Sequence, residues 1–117
     1  MTPDRRRLLK IKNWLVDNFP GKYPVRVIVQ SMPRDMEDCF GTYVPPESSK
    51  YSTIWISSDL VQSQKIETLI HEWAHYRTDP DADRHGQRYG GHTNAFYLEF
   101  GRIEREYYEA LDNELGT

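Results

Sequence analysis

Apolar residues recur along this chain in two periods, and the switches between them mark out its elements. From Pro3 to Phe19, Leu8, Ile11, Leu15 and Phe19 fall three or four residues apart, which predicts a helix with one buried stripe. Pro3 suits the first turn, and Asn18-Phe19-Pro20-Gly21 ends the helix, because neither proline nor glycine continues the ladder cheaply. The period then shortens to two. Val25–Val29 is β-branched and bounded by Pro24, Cys39–Val44 carries Gly41 as a candidate bulge, and in Tyr51–Ser57 Ile54 and Ile56 alternate with Thr53, Trp55 and Ser57. These short segments, parted by the polar stretch SMPRDMED and by Pro45-Pro46, predict a small three-stranded, mostly antiparallel sheet.

The helical period returns between Ser63 and Thr78. Ile66, Leu69, Ile70, Trp73 and Ala74 form one apolar stripe, and at 100° per residue His71 and His75 lie well away from it, beside Thr68 and Thr78. One face is therefore expected to pack on the core while the other opens onto something polar. Thr78-Asp79-Pro80 is expected to stop this helix, and DPDADRHGQRYGG reads as a loop. A last helix is predicted from Thr93 to Leu115, with Phe96, Phe100, Ile103, Tyr107 and Leu111 on its buried side. Gly101 in its middle costs about 1 kcal/mol relative to alanine, so close approach of a neighbouring element is expected there. The fold class is α+β: an N-terminal helix, a small sheet, a central helix and a C-terminal helix.

Length and composition narrow the picture. At 117 residues, 38% hydrophobic and 13% aromatic, the chain suits one globular domain spanning residues 1–117. A net charge of −3 does not mark the whole chain as a nucleic-acid binder. Cys39 is the single cysteine, so no internal disulfide and no cysteine-based zinc knuckle can form, and any metal must be held by histidine and carboxylate. No apolar run approaches a membrane span. Lys10 and Lys12 interrupt the basic start and no small-residue cleavage site follows it, so no signal peptide is expected. A reduced, cytoplasmic setting, no membrane partner and a monomeric state are the expectations. Arg5, Arg6 and Arg7 read as a solvated helix end rather than a phosphate-contacting patch.

The candidate chemistry lies in His71-Glu72-Trp73-Ala74-His75. Four residues overshoot one helical turn by about 40°, so both imidazoles can close on one ion while Glu72 points to the side, where a water on that ion would sit. A hydrolytic zinc takes three protein ligands and leaves a fourth position for water. The candidates for the third are His85, His92 and Glu99. His92 stands just ahead of the last helix. Glu99 is seven residues further on, on nearly the same helix face but about 10 Å along the axis, so the two do not share one metal. Asp79, Asp81 and Asp83 alternate like the acids of a calcium loop, but the glycine and terminal glutamate of that pattern are missing, and they read as solvated loop acids.

IETLIHEWAH, a short acidic and glycine-rich loop, and then GHTNAFYLEFGRIEREY together resemble the SprT-like zinc metallopeptidases, including the minimal versions seen in phage genomes. That family carries an HExxH helix, a loop, and a histidine followed four residues later by an aromatic that begins the last helix. His92 and Phe96 fill those positions, and Phe100, Arg102 and Ile103 continue the pattern. The upstream helix, short sheet and TIWIS strand match in order, so the resemblance spans most of the chain, although only the HEWAH and His92 segments are specific. Thr93 stands where the family usually has glycine, and the family's cysteine-rich zinc ribbon is missing. His85-Gly86, with Tyr89, mimics the third-ligand segment locally, but Gly90-Gly91 would interrupt the helix that must follow, which favours His92.

The resemblance implies a zincin-like fold, zinc held by His71, His75 and His92, Glu72 as general base, and hydrolysis of peptide bonds in a protein or peptide substrate. It also implies an extended substrate laid on the edge strand beside the zinc helix, with TIWIS the candidate template. Tyr76 and Tyr89 are candidate oxyanion donors, although tyrosines more often pack. A phage-encoded chain would work in the host cytoplasm. Two alternatives stand beside this reading. One is a zincin with Glu99 as third ligand. The other is a zinc-binding module, weak or inactive in catalysis, that acts on or is recruited to DNA-associated proteins and touches DNA through Arg5, Arg6 and Arg7.

Overall fold

The computed structural model describes residues 2–32, 40–46, 50–84, 93–113 and 115, with 79–84 as backbone alone. Helix α1 spans Pro3–Asn18, and its first turn is closed by Thr2, whose hydroxyl accepts a hydrogen bond from the Arg5 amide at 3.2 Å. Leu8, Ile11, Trp14 and Leu15 form its buried stripe, and Phe19 follows them into the core. Strand β1 is Val25–Gln30, β2 is Gly41–Val44 and β3 is Ser52–Ser57. Helix α2 runs over Gln62–Arg84 and α3 over Asn94–Leu111.

The sheet is mixed, not mostly antiparallel as expected. Its spatial order is β1-β3-β2, so the last strand in sequence lies in the centre. β3 pairs in parallel with β1 (Val27 opposite Ile54) and antiparallel with β2 (Tyr43 opposite Ile54). Central strands are covered on both faces and lose the apolar–polar alternation of half-exposed ones. β3 behaves accordingly: Ser52, Thr53, Ile54, Ile56 and Ser57 are all buried and only Trp55 is half-exposed.

α2 lies against β2 and β3 on one side and takes α1 and α3 on others. It is buried almost all round from Thr68 to Tyr76, which is how a helix between layers behaves. The helix also continues past Asp79-Pro80, where termination was expected; a proline removes one ladder bond and costs about 3 kcal/mol without forbidding further turns. α3 is capped by Thr93, whose hydroxyl accepts from the Phe96 amide at 3.1 Å. It ends at Leu111, earlier than predicted, and the chain turns back so that the Leu115 amide reaches the Ala110 carbonyl at 2.8 Å and the Leu115 side chain is buried. The Leu115 carbonyl in turn accepts from the Arg7 guanidinium, tying the two ends of the domain together. Gly101 is exposed, and a Cβ built there meets nothing within 4 Å, so the close neighbour expected at that position is not there.

Candidate metal centre

Consecutive turns of α2 bring His71, Glu72 and His75 together, with one potential ligand atom from each lying within 4.8 Å of the others. His71 is half-buried, while Glu72 and His75 are buried, at 7% and 3% of their full exposure. The two imidazoles meet edge to face, with centroids 5.1 Å apart. This His-Glu-His group could hold a metal ion, and two imidazoles beside a carboxylate are a donor set that first-row divalent metals accept.

The side of α2 that carries the histidines does not simply open to water, as the helical wheel suggested. α3 roofs it with two phenylalanines. Phe96 stacks on His75 with centroids 4.2 Å apart and planes 21° from parallel, and Phe96 and Phe100 present edge-on contacts to His71 at 5.0 and 5.5 Å. A face-on contact engages the π surface of an imidazole and not its in-plane nitrogens, so it sets the ring's orientation while leaving ligation geometrically open.

Water reaches the group through a cleft of about 600 Å³. Gln64, Glu67, Thr68, His71 and Glu72 of α2 form one wall, Phe100 and Glu104 of α3 another, and Phe40 with Gly41 the third. Gly41 starts β2 instead of bulging within it, and its lack of a side chain lets the strand close on the helix: a Cβ there would lie 2.5 Å from the Trp55 carbonyl oxygen and 2.6 Å from Thr68 Cγ2. Glu67 and Phe100 were overlooked as wall residues, although their spacing gives them away, Glu67 one turn before His71 and Phe100 one turn after Phe96.

The alternative third ligand, Glu99, is engaged elsewhere. Its carboxylate accepts from Arg77 Nε at 2.7 Å and from Arg102 Nε at 2.9 Å, outside the ligand cluster. Burial pushes this carboxyl's pKa up, but the hydrogen bonds from Arg102 and Arg77 outweigh burial and hold it below the usual carboxylate value. Arg77 also donates to the Pro20 carbonyl, and the guanidiniums of Arg77 and Arg102 lie 5.7 and 5.0 Å from the Phe19 ring centroid. The cluster therefore joins α2, α3 and the end of α1, and its role is structural.

Tyr76 is likewise a packing residue. Its ring occupies the space where a Cβ on Gly21 would sit, its hydroxyl donates to the Tyr23 carbonyl, and burial raises its pKa. It is therefore not the oxyanion donor considered for it. TIWIS cannot be the substrate template, because β3 is central and paired on both edges; the outer strand beside the cleft is β2. Of the basic cluster, Arg7 is engaged by Leu115, while Arg5 and Arg6 are exposed. His92, His85, Tyr89 and Cys39 lie outside the described residues, as do the side chains of Asp79, Asp81 and Asp83. Among the described residues, no helix is long and apolar enough to cross a membrane. The chain matches no protein-family model, no curated protein and no solved structure.

Proposed function

We propose that this protein is a zinc-dependent metallopeptidase of the SprT-like, zincin type, with His71, His75 and His92 as metal ligands and Glu72 as general base. The observation that carries the reading is the His71-Glu72-His75 group, its ligand atoms within 4.8 Å of one another, with His71 and Glu72 in the wall of the cleft and His75 buried behind them. A purely structural site has no use for a carboxylate between its histidines at a cleft wall. His92 is the third ligand that the resemblance implies; in sequence it directly precedes Thr93, the cap of the helix whose Phe96 ring stacks on His75.

When bound, zinc lowers the pKa of water towards about 7 and polarises a carbonyl. Glu72 takes a proton from the attacking water as its oxygen bonds to the scissile carbon, then gives that proton to the amine as the C–N bond breaks. Phe96 and Phe100 hold the histidine rings and exclude water from behind them. An extended substrate pairs with the outer edge of β2, so its main chain crosses the mouth of the cleft beside Gly41.

The test is cleavage of an unfolded protein substrate with and without chelator, run beside Glu72→Gln with metal content measured on both proteins. Chelator-sensitive cleavage that Glu72→Gln abolishes while retaining metal is the expected result. A Glu72→Gln protein that keeps its metal and cuts as fast as the parent overturns the mechanism. A parent that binds zinc tightly and cuts nothing would instead favour the zinc-binding module.

A further inference from the structure

At the sheet edge away from the metal centre, α1 and β1 enclose a second groove of about 450 Å³. Its floor is aliphatic: Leu8 and Leu9 of α1 face Val25, Val27 and Val29 of β1. The three valines are only half-buried and Leu9 is 44% exposed, so the floor is open along its length. Its rim is cationic. Arg5 and Lys12 stand at either end of the α1 side, no carboxylate lines the groove, and neither makes an ion pair among the described residues, whereas Arg26 of the strand is turned to Thr53, its Nε donating to the Thr53 hydroxyl at 3.2 Å. β1 pairs with β3 along one edge, and its other edge has no strand partner among the described residues.

We infer that this groove binds an extended acidic peptide segment, which adds to β1 as a fourth strand. Backbone pairing to an outer strand supplies affinity, and pockets for alternate side chains supply specificity. Arg5 and Lys12 are seven residues apart and so lie on one helix face about 10 Å from each other, with Leu8 and Leu9 between them. Side chains on one face of a strand repeat every 6.6 Å or so. Acids four residues apart in an extended segment stand about 13 Å from each other, so in acidic-x-aliphatic-x-acidic they bracket the two cations, whose long side chains span the difference, and the aliphatic residue between them rests on Leu9 and Val27.

The other occupants fit less well. A second copy pairing β1 to β1 would bring Arg5 and Lys12 of both chains together, and like charges across an interface cost affinity. Single-stranded nucleic acid is gripped by rings on which bases stack, and this groove is lined by no aromatic side chain. The proposal does not depend on the metal centre or on protease activity.

The probe is a fluorescein-labelled peptide, Ser-Glu-Thr-Val-Thr-Glu-Ser, titrated with the full chain and followed by fluorescence anisotropy. Saturable binding is expected, with amide shifts concentrated in Val25–Gln30. It should weaken at least tenfold for a peptide with lysine in place of both glutamates, and at least tenfold for Arg5→Glu, an exposed position whose change leaves the fold intact by circular dichroism. Absence of saturable binding by the parent, or binding indifferent to both charge reversals, overturns the proposal. So does a labelled oligothymidylate that displaces the peptide and binds more tightly, which would assign the groove to nucleic acid.

Discussion

The ring of Phe96 lies face to face with the imidazole of His75, centroids 4.2 Å apart. One α3 side chain thus both fills the core, at 1% exposure, and sets the plane of a candidate metal ligand. Hydrogen-bonding groups that orient a ligand ring typically account for ten- to a hundredfold in metal affinity, and a stacked ring is expected at the low end of that range. If His75 ligates zinc as proposed, Phe96→Leu should weaken zinc binding by about tenfold while costing about 1 kcal/mol of stability. Competition with a chromogenic chelator and thermal denaturation read the two effects separately; unchanged affinity would mean that the stack is packing alone.

Glu72→Gln replaces a proton acceptor with an amide of nearly the same shape. If Glu72 is the general base, cleavage falls by about a hundred- to ten-thousand-fold while zinc content and melting temperature stay close to those of the parent. Single-turnover cleavage with metal analysis on the same samples checks this.

Glu99→Gln addresses the ion-pair cluster and the rival ligand together. The change removes the charge that Arg77 and Arg102 share, and because solvent screens this partly exposed cluster about 0.5–1.5 kcal/mol of stability should be lost near neutral pH while zinc affinity should not move. The pH dependence follows from the direction of the shift. Because the folded-state pKa lies below the ordinary 4.5, the stabilisation is fully present above that value and fades as pH falls through the lower, folded-state value. Urea melts of parent and variant should converge in acid. A variant that loses zinc would restore Glu99 as a ligand.

Two glycines should respond oppositely to alanine. Gly101 sits exposed within α3 with nothing near its missing side chain, so Gly101→Ala should stabilise by up to about 1 kcal/mol. At Gly41 the new methyl would collide with the Trp55 carbonyl at 2.5 Å, backbone of the central strand that cannot turn aside. Gly41→Ala should cost about 1–3 kcal/mol and narrow the cleft. Chemical denaturation of both variants decides.

Periodicity made the elements legible because it is a local signal. Leu8, Ile11, Leu15 and Phe19 announce α1, Ile54 and Ile56 announce β3, and Thr93 followed by Phe96 marks the start of α3, all close to where the structure has them. The two histidines and the glutamate follow from helix geometry alone. Strand order does not, because β1 and β3 become neighbours only after β2 has been placed between them in sequence and outside them in space. The partners of Glu99 were hidden for the same reason: Arg77 reaches it from a different helix. The open face imagined for His71 and His75 failed because the helical wheel of α2 says nothing about the aromatics α3 lays over it.

The turns of α2 that bear the candidate ligands are also the turns most firmly held by the rest of the chain. Trp73 Nε1 donates to the Phe19 carbonyl at 2.8 Å, Tyr76 bonds to the Tyr23 carbonyl, and Arg77 bridges Pro20 and Glu99. None of these links involves a metal ion. In a zinc finger, binding energy is folding energy and the stripped protein collapses; here the scaffold is complete beforehand. If the group binds metal as proposed, the ion should come and go from a finished fold, so that chelation removes it without dissolving the domain and resupply restores it without refolding.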